Sequence, residues 1–469
     1  MVDPSEPGGP SPSDVAVADP LAIAATSPDD PPTDGRPTGL LPIRELLRIS
    51  LYWLGLSSIF AGLVTIMSGR LEFTGLVAKG EAGRALFAVS ISGAIMAMVV
   101  QPTVGTISDY TISRWGRRKP YIFVGSILDV IFLVGIATSD TLLAIAAFIA
   151  LLQFSSNFAQ GPFQGYVPDL VPAPQVGTAS ALVGLMQVLG VVTGYCIGAL
   201  AVATNQFSIG LVALGLVELT TMLSVVIRVR EGDRVKSRAG RSWWSVAAEA
   251  WGTDVLRERS FLWLVASRLS ILTAGAVLTQ LALFYLSRSM GLDQQQSGFI
   301  EIPVVGLVAL GTIVSVVPAA RISDRVGRKR VIWASCALGA IGLGTVAGAP
   351  NVPVAFVGAL VYGVSAGTFV AVDWALMTDI IPKASSGRYM GLSNVATASA
   401  GVVALAVGGT LMDVVGGPAQ DGSGPRAALW AAVVLMGIGA VLLRPVDERR
   451  REAEPAATGE LAVSPEPAV

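Results

Sequence analysis

"SDYTISRWGRRKP", residues 108–120, gathers four cations within six positions: Arg114, Arg117, Arg118 and Lys119. Long apolar stretches flank it on both sides. A second copy of the phrase, "SDRVGRKR", stands at 323–330. The chain of 469 residues is 52% hydrophobic and only 14% charged, with a mean hydropathy of +0.65. Soluble domains carry about 25% charged residues. The apolar residues fall in blocks of about 20, the length that crosses a bilayer as a helix. The two basic phrases are therefore loops of a polytopic, all-α membrane protein.

Working outward from them, twelve spans are predicted, at 49–68, 85–106, 120–138, 141–165, 177–203, 207–227, 261–287, 297–318, 331–348, 353–380, 388–415 and 427–443. With the amino terminus inside, the inner loops hold 19 Lys and Arg residues and the outer loops 5. Positive charge is retained on the cytoplasmic side, so both termini are expected there, in a plasma or inner membrane. Residues 1–45 have the Pro-, Asp- and Ser-rich composition of a disordered tail. They lack the basic segment and early apolar run of a signal peptide. A bundle over 46–228, a central loop over 229–260, a second bundle over 261–445 and a tail over 446–469 complete the expected organisation.

The two bundles repeat in parallel. "PDLVP" (168–172) ends span 4 and "TDIIP" (378–382) ends span 10, with Asp169 and Asp379 offset by 210 positions. Gly116 and Gly327 are offset by 211. Two similar six-span bundles are a transporter architecture. The copies differ in one respect: Asp109 lies seven positions before Gly116, and Asp324 three before Gly327. The four extra residues amount to about one helical turn.

Composition excludes several classes. A net charge of −1 makes no case for nucleic acid as a partner, and the absence of His removes imidazole relays and His-ligated metal sites. Cys196 and Cys336 sit in apolar spans with no disulfide or metal spacing. No nucleophile with a base and no nucleotide loop is present, so no enzyme, cofactor or metal is expected.

Twelve spans, two halves and an inner-loop G-x-x-x-D…G-R-R/K pattern resemble the major facilitator superfamily. "GTISDYTISRWGRRKP", "AQGPFQGYVPDLVP" and "VDWALMTDIIP" are similar to the sucrose-transporter-like branch of the glycoside–pentoside–hexuronide:cation symporters. The resemblance covers residues 45–445. It implies two pseudo-symmetric six-helix bundles, with spans 1, 4, 7 and 10 lining a central cavity. It also implies that Asp109 and Asp324 contact the start of a helix in the opposite half, near Gly387 and Gly177, where exposed N–H groups favour a carboxylate. Arg117, Arg118, Arg328 and Lys329 would pair with Asp169 and Asp379 and close the cytoplasmic gate. The alternative is that these cations only set topology. Span 2 lacks the carboxylates that melibiose-type members use for sodium, which favours a proton. The missing His departs from some plant sucrose transporters.

Gln153, Asn157, Gln160 and Gln164 recur at spacings of 4, 3 and 4, one helical face. Amides facing lipid would be unsatisfied. They therefore serve as interhelical glue or as a cavity wall suited to sugar hydroxyls. Ionisable residues within spans cost about 2.5–3.5 kcal/mol each and are functional candidates by default. Five qualify as cation-coupling groups: Asp129, Glu218, Arg268, Glu301 and Asp373. Arg268 and Asp373 lie at similar depth in spans 7 and 10 and are expected to form an ion pair, either coupling or merely structural. Glu301 reads as an exposed cap or an outer-gate proton site. Asp129 and Glu218 need a partner in peripheral spans, and each other's carboxyl would do if they shared a proton. Trp374 and Tyr52, or Trp53, are candidates to stack on a sugar ring, with interface anchoring as the alternative. The glycines of spans 5 and 11 read as close helix packing.

These readings converge on a proton-coupled symporter of a glycoside or disaccharide such as sucrose or maltose, working by alternating access as a monomer in the bilayer. A proton-coupled efflux antiporter for amphipathic compounds and a non-transporting sensor with the same fold are the rivals.

Overall fold

Twelve apolar helices order this chain. The computed structural model describes residues 39–111, 113–231, 258–380, 393, 396–397, 399–417 and 419–446; the side chains of Ala97, Ala173, Trp374, Thr378 and Asp379 lie outside that description. The helices are α1 (Ile43–Phe73), α2 (Ala82–Ser108), α3 (Lys119–Thr138), α4 (Leu142–Leu170), α5 (Val176–Ala203) and α6 (Phe207–Arg228). The second set is α7 (Arg259–Ser289), α8 (Gln294–Val326), α9 (Arg328–Gly348), α10 (Val352–Met377), α11 (Ser399–Gly416) and α12 (Ser423–Leu442). No β-strand occurs among the described residues. Each helix is long and apolar enough to cross a membrane.

Local chemistry sets the ends. Pro120 stands in the first turn of α3, where its missing N–H is no loss. Asp293 and Gln296 form a reciprocal capping box at the start of α8. Two boundaries depart from expectation. α1 begins at Ile43, inside the segment assigned to the tail. α8 continues eight residues past position 318 to Val326, so Asp324 lies in its last turn rather than in a loop. Hydropathy ends where lipid ends; a helix keeps bonding its own backbone beyond that point. At about 1.5 Å per residue, its 33 residues reach well past the hydrocarbon.

Within the first half α1 packs on α5 and α6, α2 on α4, and α3 on α4 and α6; the second half repeats this with α7 on α12, α8 on α10, and α9 on α10 and α12. The α1–α5 contact is made by small residues, as expected. Gly190, Gly194 and Gly198 stand one helical turn apart and press the α5 backbone onto Leu54, Ser58 and Thr65 of α1. The halves meet where α5 packs on α8, α2 on α11 and α1 on α7. α1 and α7 are the most buried spans, at 67% and 72% of their core windows, so they occupy the centre. The end of the molecule with the two basic phrases is called the basic end below, and the opposite end the far end.

Candidate functional site

At the basic end of the first half, Arg118 is the organising residue. Its side chain is 7% exposed. It donates to Asp109 at 2.8 Å, contacts Asp169 at 2.6 Å and donates to the Pro162 carbonyl at 2.6 Å. Arg117 also pairs with Asp169. The guanidinium lies where a Cβ on Gly165 would stand. Glu231, just past α6, accepts the N–H groups of Arg118 and Lys119 at 2.9 Å each and the Tyr166 hydroxyl at 2.6 Å. It caps the start of α3, where a carboxylate is favoured by unpaired N–H groups and the helix dipole. Nothing in the sequence marked Glu231; it stood among ordinary charges of the central stretch.

The second copy is built otherwise. Asp324 is 64% exposed and pairs with Arg328, one turn on, at 3.3 Å. Lys329 donates to the carbonyls of Arg444 and Val446 at 3.0 and 2.7 Å. The side chain of Asp379 and the loop at Gly387 lie outside the described residues. The expected pairing of Arg117 and Arg118 with Asp169 is present. Of the expected reach of these loops into the opposite half, the Gly387 partner of Asp109 lies outside the described residues, and Asp324 pairs within its own half. At the far end the halves are closed together.

There Arg288 meets Glu72 across the halves, with Nη2 to Oε2 at 2.6 Å and Nε to the two carboxylate oxygens at 3.0 and 3.1 Å. Both side chains are under 10% exposed. Arg288 lies on a π-helical turn, Tyr285–Ser289, that ends α7. Such turns concentrate at functional sites. Asp413 of α11 accepts the N–H groups of Gly83 and Arg84 at 3.1 and 2.7 Å, capping α2 from the opposite half. A carboxylate on a helix start in the other half therefore stands at the far end. Gln294 of α8 donates to the Val202 carbonyl of α5 at 2.9 Å, and Thr65 of α1 donates to Glu301 of α8 at 3.2 Å. Every hydrogen bond or ion pair between described residues that joins the halves belongs to this far-end group or lies just beneath it.

Deeper in the second half, Arg268 and Asp373 form the expected ion pair between α7 and α10. They are 5% and 2% exposed. Arg268 also donates to Thr397 Oγ1 at 3.1–3.3 Å. Asp373 Oδ1 is buried without a hydrogen-bond partner.

In the first half, Asp129 and Glu218 are brought together, as their burial required. Asp129 accepts from Ser155 and, at 2.7 Å, from Ser156. Its carboxyl stands beside that of Glu218, whose Oε2 is buried without a hydrogen-bond partner. Tyr52 donates to Glu218 at 2.9 Å and therefore accepts from Ser126 at 2.6 Å. Tyr52 is fully buried against Phe163. This corrects the expectation that it stacks on a substrate: its ring is in the bundle core and its hydroxyl is committed to Glu218. Trp374, the other stacking candidate, has its side chain outside the described residues.

The amide face of α4 is divided. Asn157 is buried and donates to Gln153 of its own helix at 2.8 Å. Gln153 lies against Gly93 of α2. Gln160 is half-buried and Gln164 exposed. Asn157 and Gln153 thus serve packing between α2 and α4, while Gln160 and Gln164 remain accessible.

The chain resembles known proteins in three ways. The description of the Major Facilitator Superfamily matches residues 51–300 and 264–467. A stretch of 131 residues is 34% identical to sucrose transport protein SUT1 of Oryza sativa subsp. japonica, and one of the same length is 32% identical to sucrose transport protein SUC3 of Arabidopsis thaliana. These stretches cover 23% of this chain and 24% and 22% of the two relatives, so the chain spans about a quarter of the curated proteins it matches. Among solved structures, a D-xylose-proton symporter superposes with a TM-score of 0.65 at 16% identity, over 88% of this chain and 99% of that one. The nucleoside transporter NupG does so with 0.64 at 15%, over 85% and 99%. At such identity the structures speak for the fold. The fold and the match over most of its length make this chain a multi-pass membrane transporter of the Major Facilitator Superfamily.

Proposed function

We propose that this transporter is a proton:sugar symporter that carries a disaccharide by alternating access. The observation that carries the reading is the closure of the halves at the far end. The two halves are latched by Glu72–Arg288 and Asp413 at the far end, which supports a cycle in which that side closes and opens. The excess of Lys and Arg supports a cytoplasmic side for the basic end, both termini and the central loop, in a plasma or inner membrane. The protein acts as a monomer.

Substrate would lie between α1, α4, α7 and α10, near the midplane. Gln160 and Gln164 supply donors and acceptors for hydroxyls, and the likeness to plant sucrose transport proteins supports a sugar. Arg268–Asp373 supports coupling. A proton on Asp373 releases Arg268, and a bare Asp373 holds it. Asp373 Oδ1, lacking a partner, is the atom that receives the proton.

The test uses purified protein in liposomes and a pH-sensitive dye, with disaccharides and monosaccharides added outside. Wild type is expected to alkalinise the outer medium when its sugar is added, and Asp373→Asn to lose that response. A folded wild type that moves protons with no sugar sinks the substrate class. Sugar-driven proton entry that survives in Asp373→Asn moves coupling off the Arg268–Asp373 pair.

A further inference from the structure

For a carboxyl to couple proton binding to rocking of the halves, its surroundings must change when the halves move. Most buried carboxyls here fail that condition. Asp129 and Glu218 contact only residues of α1, α3, α4 and α6, which travel together. Asp373 faces Arg268 of its own half. Glu72 and Asp413 do cross between halves, but each is already compensated, Glu72 by Arg288 and Asp413 by two backbone N–H groups and by Arg84 at 3.7 Å.

Glu301 meets the condition and is uncompensated. It belongs to α8 and its Oε1 accepts from Thr65 of α1, in the opposite half. It is 1% exposed. Its Oε2 is buried without a hydrogen-bond partner. It lies seven residues into α8, about 10 Å below the far end, directly under the Glu72–Arg288 latch.

Among the described residues, the charged and titratable groups on every packed element leave it without a cation. On α5 the neighbour is Tyr195, whose phenol stands near Tyr362 of α10 and Thr279 of α7. Of the arginines of α7, Arg268 pairs with Asp373 and Arg288 with Glu72, and Arg259 stands at the basic end. On α1, Arg70 donates to the carbonyls of Ile136 and Ser139, and Arg44, Glu45 and Arg48 stand at the basic end. α9 carries charge only at Arg328, Lys329 and Arg330, also at the basic end. A carboxylate buried with one neutral donor and no counter-ion costs several kcal/mol. A neutral carboxylic acid fits the same site.

We infer that Glu301 is a proton-binding site that locks the outer side: protonated when the far end is closed, ionised when opening admits water between α1 and α8. Resting on the symport reading above, this names a second proton site in the cycle. Binding of a proton from outside favours closure over a loaded cavity.

The test needs no substrate. Spin labels are placed at exposed far-end positions, Ala78 in the first half and Ala419 in the second, in a Cys196→Ala, Cys336→Ala background of the full chain in lipid. Wild type is expected to shift from the short to the long distance as pH rises, by up to about tenfold in population ratio per pH unit for one linked proton. Glu301→Gln is expected to stay closed with less than about a twofold change over the same range. A wild-type distance indifferent to pH, or a Glu301→Gln variant that titrates as wild type does, overturns the inference. If Glu301→Gln does not fold, Glu301→Asp decides: a displaced midpoint supports the site and an unchanged one removes it. Should sugar-driven proton entry fail while the distances follow Glu301, the substrate reading falls and the proton site stands.

Discussion

The two copies of the basic phrase begin as near-identical strings and end as different devices. In the first, four extra residues let the chain leave the helix after Ser108, so that Asp109 turns back to Arg118 across the loop. Arg118 then holds Asp109, Asp169 and the Pro162 carbonyl, and Glu231 closes the start of α3. In the second, the helix runs straight through Asp324, which faces solvent beside Arg328. One added turn of chain converts a solvent-exposed pair into a buried staple. Copies of a motif inherit residue types; spacing decides which of them are free to exchange partners during a transport cycle.

The sharpest way to break the comparison is to remove the centre of each copy. Arg118→Ala leaves Asp109 and Asp169 partly buried beside an emptied site, so a loss of about 3–5 kcal/mol is expected. It is read as a large drop in unfolding temperature and in recovery of folded protein from detergent. If Arg118→Ala unfolds no earlier than wild type, the first copy is no staple. Gly165→Ala attacks the same copy without touching a charge. Its methyl group occupies the space of the guanidinium, and about 1–3 kcal/mol is expected from overpacking, measured in the same melt. An unaltered melt would mean that Arg118 has room to lie elsewhere. The smallest effect on stability belongs to Arg328→Ala, below about 1 kcal/mol for an exposed pair. Its mark should be a changed balance between the open and closed basic end, seen as spin-label distances across that end. A destabilisation equal to that of Arg118→Ala would erase the distinction between the copies.

Much of this molecule was legible in one dimension. Apolar blocks of bilayer length mark the helices, because only a helix satisfies its backbone in lipid. Arg268 and Asp373 could be matched because each is expensive alone and both lie at one depth; Asp129 and Glu218 for the same reason. Glu231, Glu72, Arg288 and Asp413 could not. They stand at helix ends or in polar segments, where charge is cheap and composition carries no sign of a partner. Tyr52 was misjudged because a phenol near a span end looks the same whether its hydroxyl meets water or a buried glutamate.

The contact between the halves has a further property. At α2–α11, Gly83 rests on the Gly409 backbone, and at α5–α8, Gly298 rests on the carbonyl of Ala199 and the amide of Ala203. Surfaces of interdigitated side chains slip in jumps, because each ridge must climb out of its groove. Main chain laid on main chain has no ridges to clear. In the proposed alternating access these contacts would act as smooth bearings, with resistance to rolling concentrated in the few polar bonds above, so that breaking Glu72 from Arg288 would pace the turn more than sliding the helices.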